Sequence, residues 1–238
     1  MTLAIATQRL RVDRGGAPVI RELTFSITAG AWFGVIGANG SGKTTLLRAL
    51  AGRLPIAAGH CTIDGIALAS DRAGRAARIG FAPPIERLPA SLRIGQLLAL
   101  AGDDCAAQQR RNPALWAALG LPALLDRKVD TCSSGMRQRA AVALAFARAT
   151  PIVILDEPFN WLDPVAAFDT RAALADIVRS GTTLVTALHE LTTVCGYCDE
   201  AIVLRGGEIG LKLTNAALRE GQGDIRGFEE RLIAALRE

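Results

Sequence analysis

Gly37-Ala38-Asn39-Gly40-Ser41-Gly42-Lys43-Thr44 is the stretch that decides the reading of this 238-residue chain. It fits the spacing of a phosphate-binding loop, in which a glycine, four free positions and Gly-Lys-Ser/Thr follow one another. Glycines there let backbone N–H groups turn inward onto phosphate oxygens, and a helix starting at the end of the loop adds a favourable field for anions. The flanks agree: residues 31–36 form a short apolar run with strand character, and residues 44–51 have helical spacing that stops at Gly52. Lys43 is expected to bridge the β- and γ-phosphates and the Thr44 hydroxyl to ligate Mg²⁺. Gly37, Asn39, Gly40, Ser41, Gly42 and Thr45 are expected to complete the cradle. The plain alternative is a glycine-rich turn with an exposed lysine. Lysine occurs only at 43, 128 and 212, so Lys43 is not one of many generic surface charges.

A second half matches the first. Residues 151–155 are a bare apolar run, as expected of a strand buried on both faces, and Asp156 and Glu157 follow it. Open α/β sheets place their ligands at that edge. Asp156 is expected to hold Mg²⁺ through water, and Glu157 to orient or deprotonate an attacking water. Two acids after a strand would otherwise be a solvated turn; the loop far upstream gives them a purpose.

Composition bounds the rest. Apolar residues make up 50% and charged residues 21%, with a mean hydropathy of +0.27. That balance excludes disordered and collagen-like classes. The charge-free stretch from residue 23 to 42 is long enough to span a bilayer but carries Gly30, Gly34, Gly37, Asn39, Gly40 and Gly42, which reads as a loop. The N-terminus lacks a basic segment leading into an apolar one, so no signal peptide is expected and the chain is read as cytoplasmic. The net charge of +4 comes almost wholly from arginine and gives little reason to expect a nucleic-acid partner. Five cysteines include one Cys195-x-x-Cys198 pair with no second pair to complete a zinc site; free thiols are expected.

Along the chain, strands are expected at 4–12, 19–27, 31–36, 60–63 and 77–81. A small helical insert follows over 83–130, then a long helix at 135–149. After the strand at 151–155, a helix at 164–178 is capped by Asp163. A strand at 182–188, a hairpin over 201–204 and 208–213, and helices at 215–220 and 225–237 close the chain. The fold class is α/β, a phosphate-loop NTPase core with an N-terminal antiparallel β subdomain and a small helical subdomain. The chain is read as one domain over 1–238, with the helical subdomain near 84–150 and C-terminal helices near 214–238.

With these motifs in this order, the chain resembles the nucleotide-binding subunits of ABC ATPases over nearly its whole length. Cys132-Ser133-Ser134-Gly135-Met136-Arg137-Gln138-Arg139 is similar to the family signature, LSGGQ followed by a basic stretch. At a helix start, Ser133 and Gly135 form an anion site. The resemblance implies that this site serves the γ-phosphate held by a second subunit; alone it would read as an ordinary serine cap. Asn160-Trp161-Leu162-Asp163-Pro164 resembles the D-loop, whose acid, Asp163, helps couple two ATP sites. Leu188-His189-Glu190 resembles the switch segment, which implies that His189 contacts the γ-phosphate and helps position the water.

Several positions depart from the pattern. The signature's usual Leu, first Gly and Gln are Cys132, Ser134 and Met136. Pro84 stands where a glutamine is usual, with Glu86 the nearest polar substitute. The aromatic residue that stacks on adenine is absent near Arg14, whose guanidinium is a substitute.

The resemblance implies an ATPase using ATP and Mg²⁺. It would dimerise head to tail with itself or a related subunit and drive a separate integral membrane transporter subunit, docked near the helical insert and the 83–93 loop. Its place would be peripheral, on the inner face of the cell membrane. The signature variant resembles that of exporter-type ATPases, with importers the nearest rival. The rivals outside transport are a soluble ABC ATPase of cofactor assembly or repair and a non-hydrolysing binding module. The complete set of Lys43, Asp156, Glu157 and His189 argues against the last. Cargo is not legible.

Overall fold

Alternation of buried and exposed positions gives the first half of the chain an antiparallel sheet with one face in the core. A computed structural model describes residues 2–237. In it β1 (Leu3–Arg14) and β2 (Ala17–Thr28) form a long hairpin, and β4 (Ala58–Ile63) and β5 (Ile66–Ala67) extend the sheet in the order β2-β1-β4-β5.

The second sheet has six strands in the order β10-β9-β3-β8-β7-β6. They are β3 (Trp32–Gly37), β6 (Ile79–Phe81), β7 (Ile152–Asp156), β8 (Thr183–Leu188), β9 (Glu200–Arg205) and β10 (Glu208–Leu213). All neighbours are parallel except the closing β9–β10 hairpin. Every residue of β3 and β8 is buried, as expected of mainly apolar central strands covered on both faces. The Trp32 indole enters this core by donating to the Thr186 hydroxyl at 2.9 Å.

Helix α1 (Lys43–Leu50) follows β3, packing Leu46, Leu47 and Leu50 into the core between the two sheets. α2 (Arg72–Arg78) precedes β6. Between β6 and β7 lie α3 (Ile94–Ala101), α4 (Cys105–Arg111), α5 (Pro113–Ala118) and α6 (Ser134–Ala145). Their apolar faces share one cluster with the sheet's other side. α7 (Pro164–Arg179), α8 (Leu191–Tyr197), α9 (Asn215–Gly223) and α10 (Ile225–Arg237) complete the chain. Among the described residues, no helix is long and apolar enough to cross a membrane.

Local expectations needed adjustment. The strand expected at 77–81 begins only at Ile79, because Ala77 and Arg78 finish α2, which the Asp71 side chain caps by accepting from Gly74 N at 2.8 Å. The helix expected over 135–149 runs from Ser134 to Ala145. Past that point Arg111 donates to the carbonyls of Phe146 and Ala147, and Pro151 disfavours a helical residue before it. α9 runs three residues beyond the expected end at 220, and α8 had no sequence expectation at all. All five cysteines are free; Cys195 and Cys198 lie in the core, where burial pushes both thiols up.

Candidate active site

Strand register brings the motifs to one edge. Ile36 of β3 pairs with Leu188 of β8, and Asp156 of β7 pairs with Ala187, so the loop after β3, the acids after β7 and His189 after β8 leave the sheet side by side. The loop enters α1 through Gly42, whose φ of +107° a side chain would rarely adopt. A Cβ there would also stand 2.8 Å from Ile20 Cδ1.

Lys43 is 5% exposed, and its ammonium donates to Gly37 O at 2.8 Å and Ala38 O at 3.2 Å. Burial lowers its pKa, and the nearby charges of Glu157 and Asp156 act in the opposite direction. Arg14, Val19, Glu157 and residues 39–45 line a cavity of about 410 Å³. Arg14 lines the loop's cavity, whereas Gly37 does not and instead holds Lys43 through its carbonyl.

Behind the loop, Thr44 and Asp156 line one cavity, the hydroxyl close enough to the carboxyl to act on its proton affinity. Burial pushes that carboxyl up, the Thr44 hydroxyl acts in the opposite direction, and Asp156 Oδ1 has no partner. Ser41 Oγ is also buried and unpartnered, so two of four such side-chain atoms among the described residues sit at this edge. Native structures rarely leave such atoms bare without a ligand or water to meet them. A carboxylate and a threonine hydroxyl, all oxygen, suit Mg²⁺.

A raised carboxyl pKa has a sign. Below the unfolded pKa both states are protonated and no penalty applies. The penalty grows as pH rises towards the folded value and is full above it. Asp156→Asn is therefore expected to stabilise the ligand-free chain at neutral pH by about 1 kcal/mol while removing the charge that Mg²⁺ would meet. Thermal melts without nucleotide or metal, set beside an activity assay, check both halves.

Glu157 follows with φ +50°. His189 Nε2 lies 2.6 Å from its Oε1, and Asn160 Nδ2 donates to its Oε2 at 2.7 Å. Gln138 of α6 donates to the main-chain carbonyls of Glu157 and Pro158. A second cavity of about 210 Å³ holds Thr44, Asp156, Glu157, Asn160, Gln138 and, from the 81–86 segment, both Pro84 and Glu86. Sequence reasoning gave Asn160 and Gln138 no role. Both stand inside the quoted motifs, but only folding shows what they touch.

The signature residues sit apart. Ser133 caps α6, accepting from Met136 N at 3.3 Å, and neither it nor Gly135 lines either cavity. A Cβ on Gly135 would stand 2.6 Å from Trp161 O, so glycine is needed there for close approach. Asp163 caps α7, accepting from Ala166 N at 2.9 Å, and pairs with Arg139 at 2.8 Å.

Residues 20–160 match the family model described as ABC transporter. The chain belongs to the ABC transporter family. This ABC ATPase is 34% identical to the ferric enterobactin transport ATP-binding protein FepC of Escherichia coli, over 88% of this chain and 82% of that one. It is 32% identical to the hemin import ATP-binding protein HmuV of Pseudomonas aeruginosa (85% and 84%). It is 30% identical to the Nod factor export ATP-binding protein I of Rhizobium meliloti (87% and 63%). Among solved structures, the ATP-binding subunit of an ABC transporter superposes with a TM-score of 0.85 at 26% identity, covering 99% of this chain and 100% of that one. The phosphate-loop NTPase fold, ATP as ligand and ATP hydrolysis as the activity follow from that membership.

Proposed function

We propose that this chain hydrolyses ATP at the 37–45 loop within a head-to-tail dimer of ATPase subunits, and so drives a separate membrane subunit. The observation that carries the catalytic part is the Thr44–Asp156 pair, with Asp156 Oδ1 unpartnered, beside a Glu157 carboxylate held by His189. ATP phosphates would take over the Lys43 ammonium from Gly37 O and Ala38 O, with the N–H groups of residues 39–45 around them. Thr44 and Asp156 would hold Mg²⁺, which supplies charge stabilisation on the phosphate oxygens. Glu157 would accept a proton from the attacking water as its oxygen bonds the γ-phosphorus and the ADP oxygen leaves. His189 orients that carboxylate. Arg14 would stack on the base.

Ser133 and Gly135 lie outside both cavities, which supports the reading that they face the second subunit's γ-phosphate. Asp163, joined to α6 through Arg139, would couple the two sites. Residues 84–150 are taken as the helical subdomain within one domain over 1–238, and residues 214–238 as its C-terminal helices.

For the membrane subunit, the structure offers a groove of about 780 Å³ between α3 and the 83–89 segment on one side and the ends of α1 and α2 on the other. Arg14, Arg48, Arg53, Arg72, Arg87 and Arg148 line it with no acid among them, around an apolar floor that includes Leu88, Leu97 and Leu100. That charge balance supports a helical partner segment bearing acids beside apolar residues. Arg53→Glu with Arg87→Glu is expected to weaken co-purification of the membrane protein by at least about tenfold while the isolated chain keeps its ATPase rate.

The test of the whole reading is a pull-down of the tagged chain from its native cells in mild detergent. A stoichiometric polytopic membrane protein is expected, which would place the chain on the inner face of the membrane. A soluble partner alone would move it to an assembly or repair ATPase. The Met136-Arg137-Gln138-Arg139 variant supports export, as does the likeness to the Nod factor export protein. The second reading, import, is favoured by the likeness to the hemin import protein. Transport assays in inverted and right-side-out vesicles separate the two.

A further inference from the structure

Glu157 holds a backbone conformation, φ +50°, that a residue with a side chain seldom adopts without surrounding restraint. Its restraints are few. Asn160 N closes a turn onto Glu157 O at 3.3 Å. The other contact with that carbonyl comes from α6: Gln138 Nε2 donates to Glu157 O at 3.3 Å and to Pro158 O at 3.1 Å. Gln138 is 8% exposed and lines the cavity that also holds Asp156 and Glu157. A buried amide committed to two successive carbonyls fixes where the chain turns, and hence where the Glu157 side chain starts.

Two more links join the same elements. Gly135 Cα packs against Trp161 O so closely that no Cβ fits, and Arg139 pairs with Asp163 at 2.8 Å. The first turns of α6 and the segment from Glu157 to Asp163 are thus tied at three points, making one block. Of these ties, the Gln138 amide is the one that reaches Glu157 itself.

We propose that Gln138 is a positioning residue: its side-chain amide sets the Glu157 turn against α6, so that the carboxylate is aimed by the helix whose N-terminus carries Ser133 and Gly135. The assignment rests on Glu157 being the catalytic base. It adds that engagement of the α6 N-terminus and alignment of Glu157 in the same chain are one event, because the block moves as a unit. Gln138 does not touch phosphate; it acts through the main chain of Glu157.

Gln138→Met keeps the length of the side chain and removes both hydrogen bonds. In the full chain it is expected to lower kcat for Mg-ATP about tenfold or more, with KM and the affinity for ATP within about twofold of the parent. The distinguishing readout is a double-mutant cycle with Glu157→Gln, read in single turnovers. Once the carboxylate is gone, loss of Gln138 is expected to cost nothing further. Losses that multiply, or a parental kcat in Gln138→Met, would overturn the assignment. Should Gln138→Met fold poorly, Gln138→Asn keeps the donor but withdraws it by one methylene, and the same non-additivity is expected. A Glu157→Gln chain that turns over at the parental rate would instead overturn the reading of Glu157, and Gln138's role with it, a result visible in that single variant.

Discussion

Glu157→Gln is expected to lower ATP turnover by about 10²- to 10⁴-fold and to leave ATP binding intact, so that an ATP-bound dimer accumulates. The size follows from the role proposed for the carboxylate: a positioned base removed from a proton transfer costs about that much. The selectivity follows from geometry. Glu157 lies beside the phosphate loop but contributes none of its N–H donors, and the amide of glutamine can keep both neighbours, its oxygen accepting from Asn160 Nδ2 and its NH2 donating to His189 Nε2, where the carboxylate oxygens now lie at 2.7 and 2.6 Å. The expected dimer has a physical cause. With the γ-phosphate uncleaved, the contacts proposed for Ser133 and Gly135 on the second nucleotide would persist, and the closed state would not be released. Steady-state hydrolysis and size-exclusion chromatography with ATP check both halves. Unchanged hydrolysis would remove Glu157 from the catalytic role.

The motifs were legible because each is local. A glycine-rich loop between a buried strand and a helix, and two acids after a second buried strand, are patterns in consecutive residues, and the parallel sheet then delivers them to one edge. What could not be read was whatever depends on register between distant elements. Nothing in the sequence tells that Gln138 of α6 reaches the carbonyls of Glu157 and Pro158, 19 and 20 residues on. The same holds for Glu86, which sequence offers as a substitute for a missing glutamine; only the fold puts it in the cavity with Asp156. Helix ends were misjudged for a related reason. α6 stops at Ala145 because Arg111, from another helix, takes the next two carbonyls. α8 escaped notice because Leu191-Thr192-Thr193-Val194 is rich in β-branched residues, and packing of Val194 and Cys195 into the core overrides that weak preference.

The groove of six arginines gives the site a mechanical context. Arg48 lines both that groove and the cavity of Asp156, where its charge acts on the carboxyl. A partner that occupied the groove would therefore meet a side chain carried on α1, the helix that begins at Lys43. Coupling by this route needs α1 to be held firmly, so that displacement at one end is felt at the other.

Beside the core packing of α1, Arg75 ties down its last turn, and Arg75→Met is expected to destabilise the chain by about 3 to 5 kcal/mol. Arg75 is wholly buried and its hydrogen-bond partners are all carbonyls. It donates to Ala49 O in the last turn of α1 at 3.0 Å and to Leu54 O just beyond at 3.1 Å, and it also reaches the carbonyls of Leu68 and Ala69. Burial lowers its pKa, and nearby Cys61 and Asp71 act in the opposite direction. Methionine fills most of the space but removes a charged donor from four carbonyls: those of Leu54 and Ala69 lose their Arg75 partner, and those of Ala49 and Leu68 keep only Gly52 N and Asp71 N, each loss costing about 1 kcal/mol. For a chain of this size that corresponds to a fall in Tm of roughly 6 to 20 °C. Arg75→Lys restores the charge but only one donor group, and is expected to recover less than half of the loss. A melt of Arg75→Met within about 2 °C of the parent would show that water reaches these carbonyls and that the anchoring of α1 lies elsewhere.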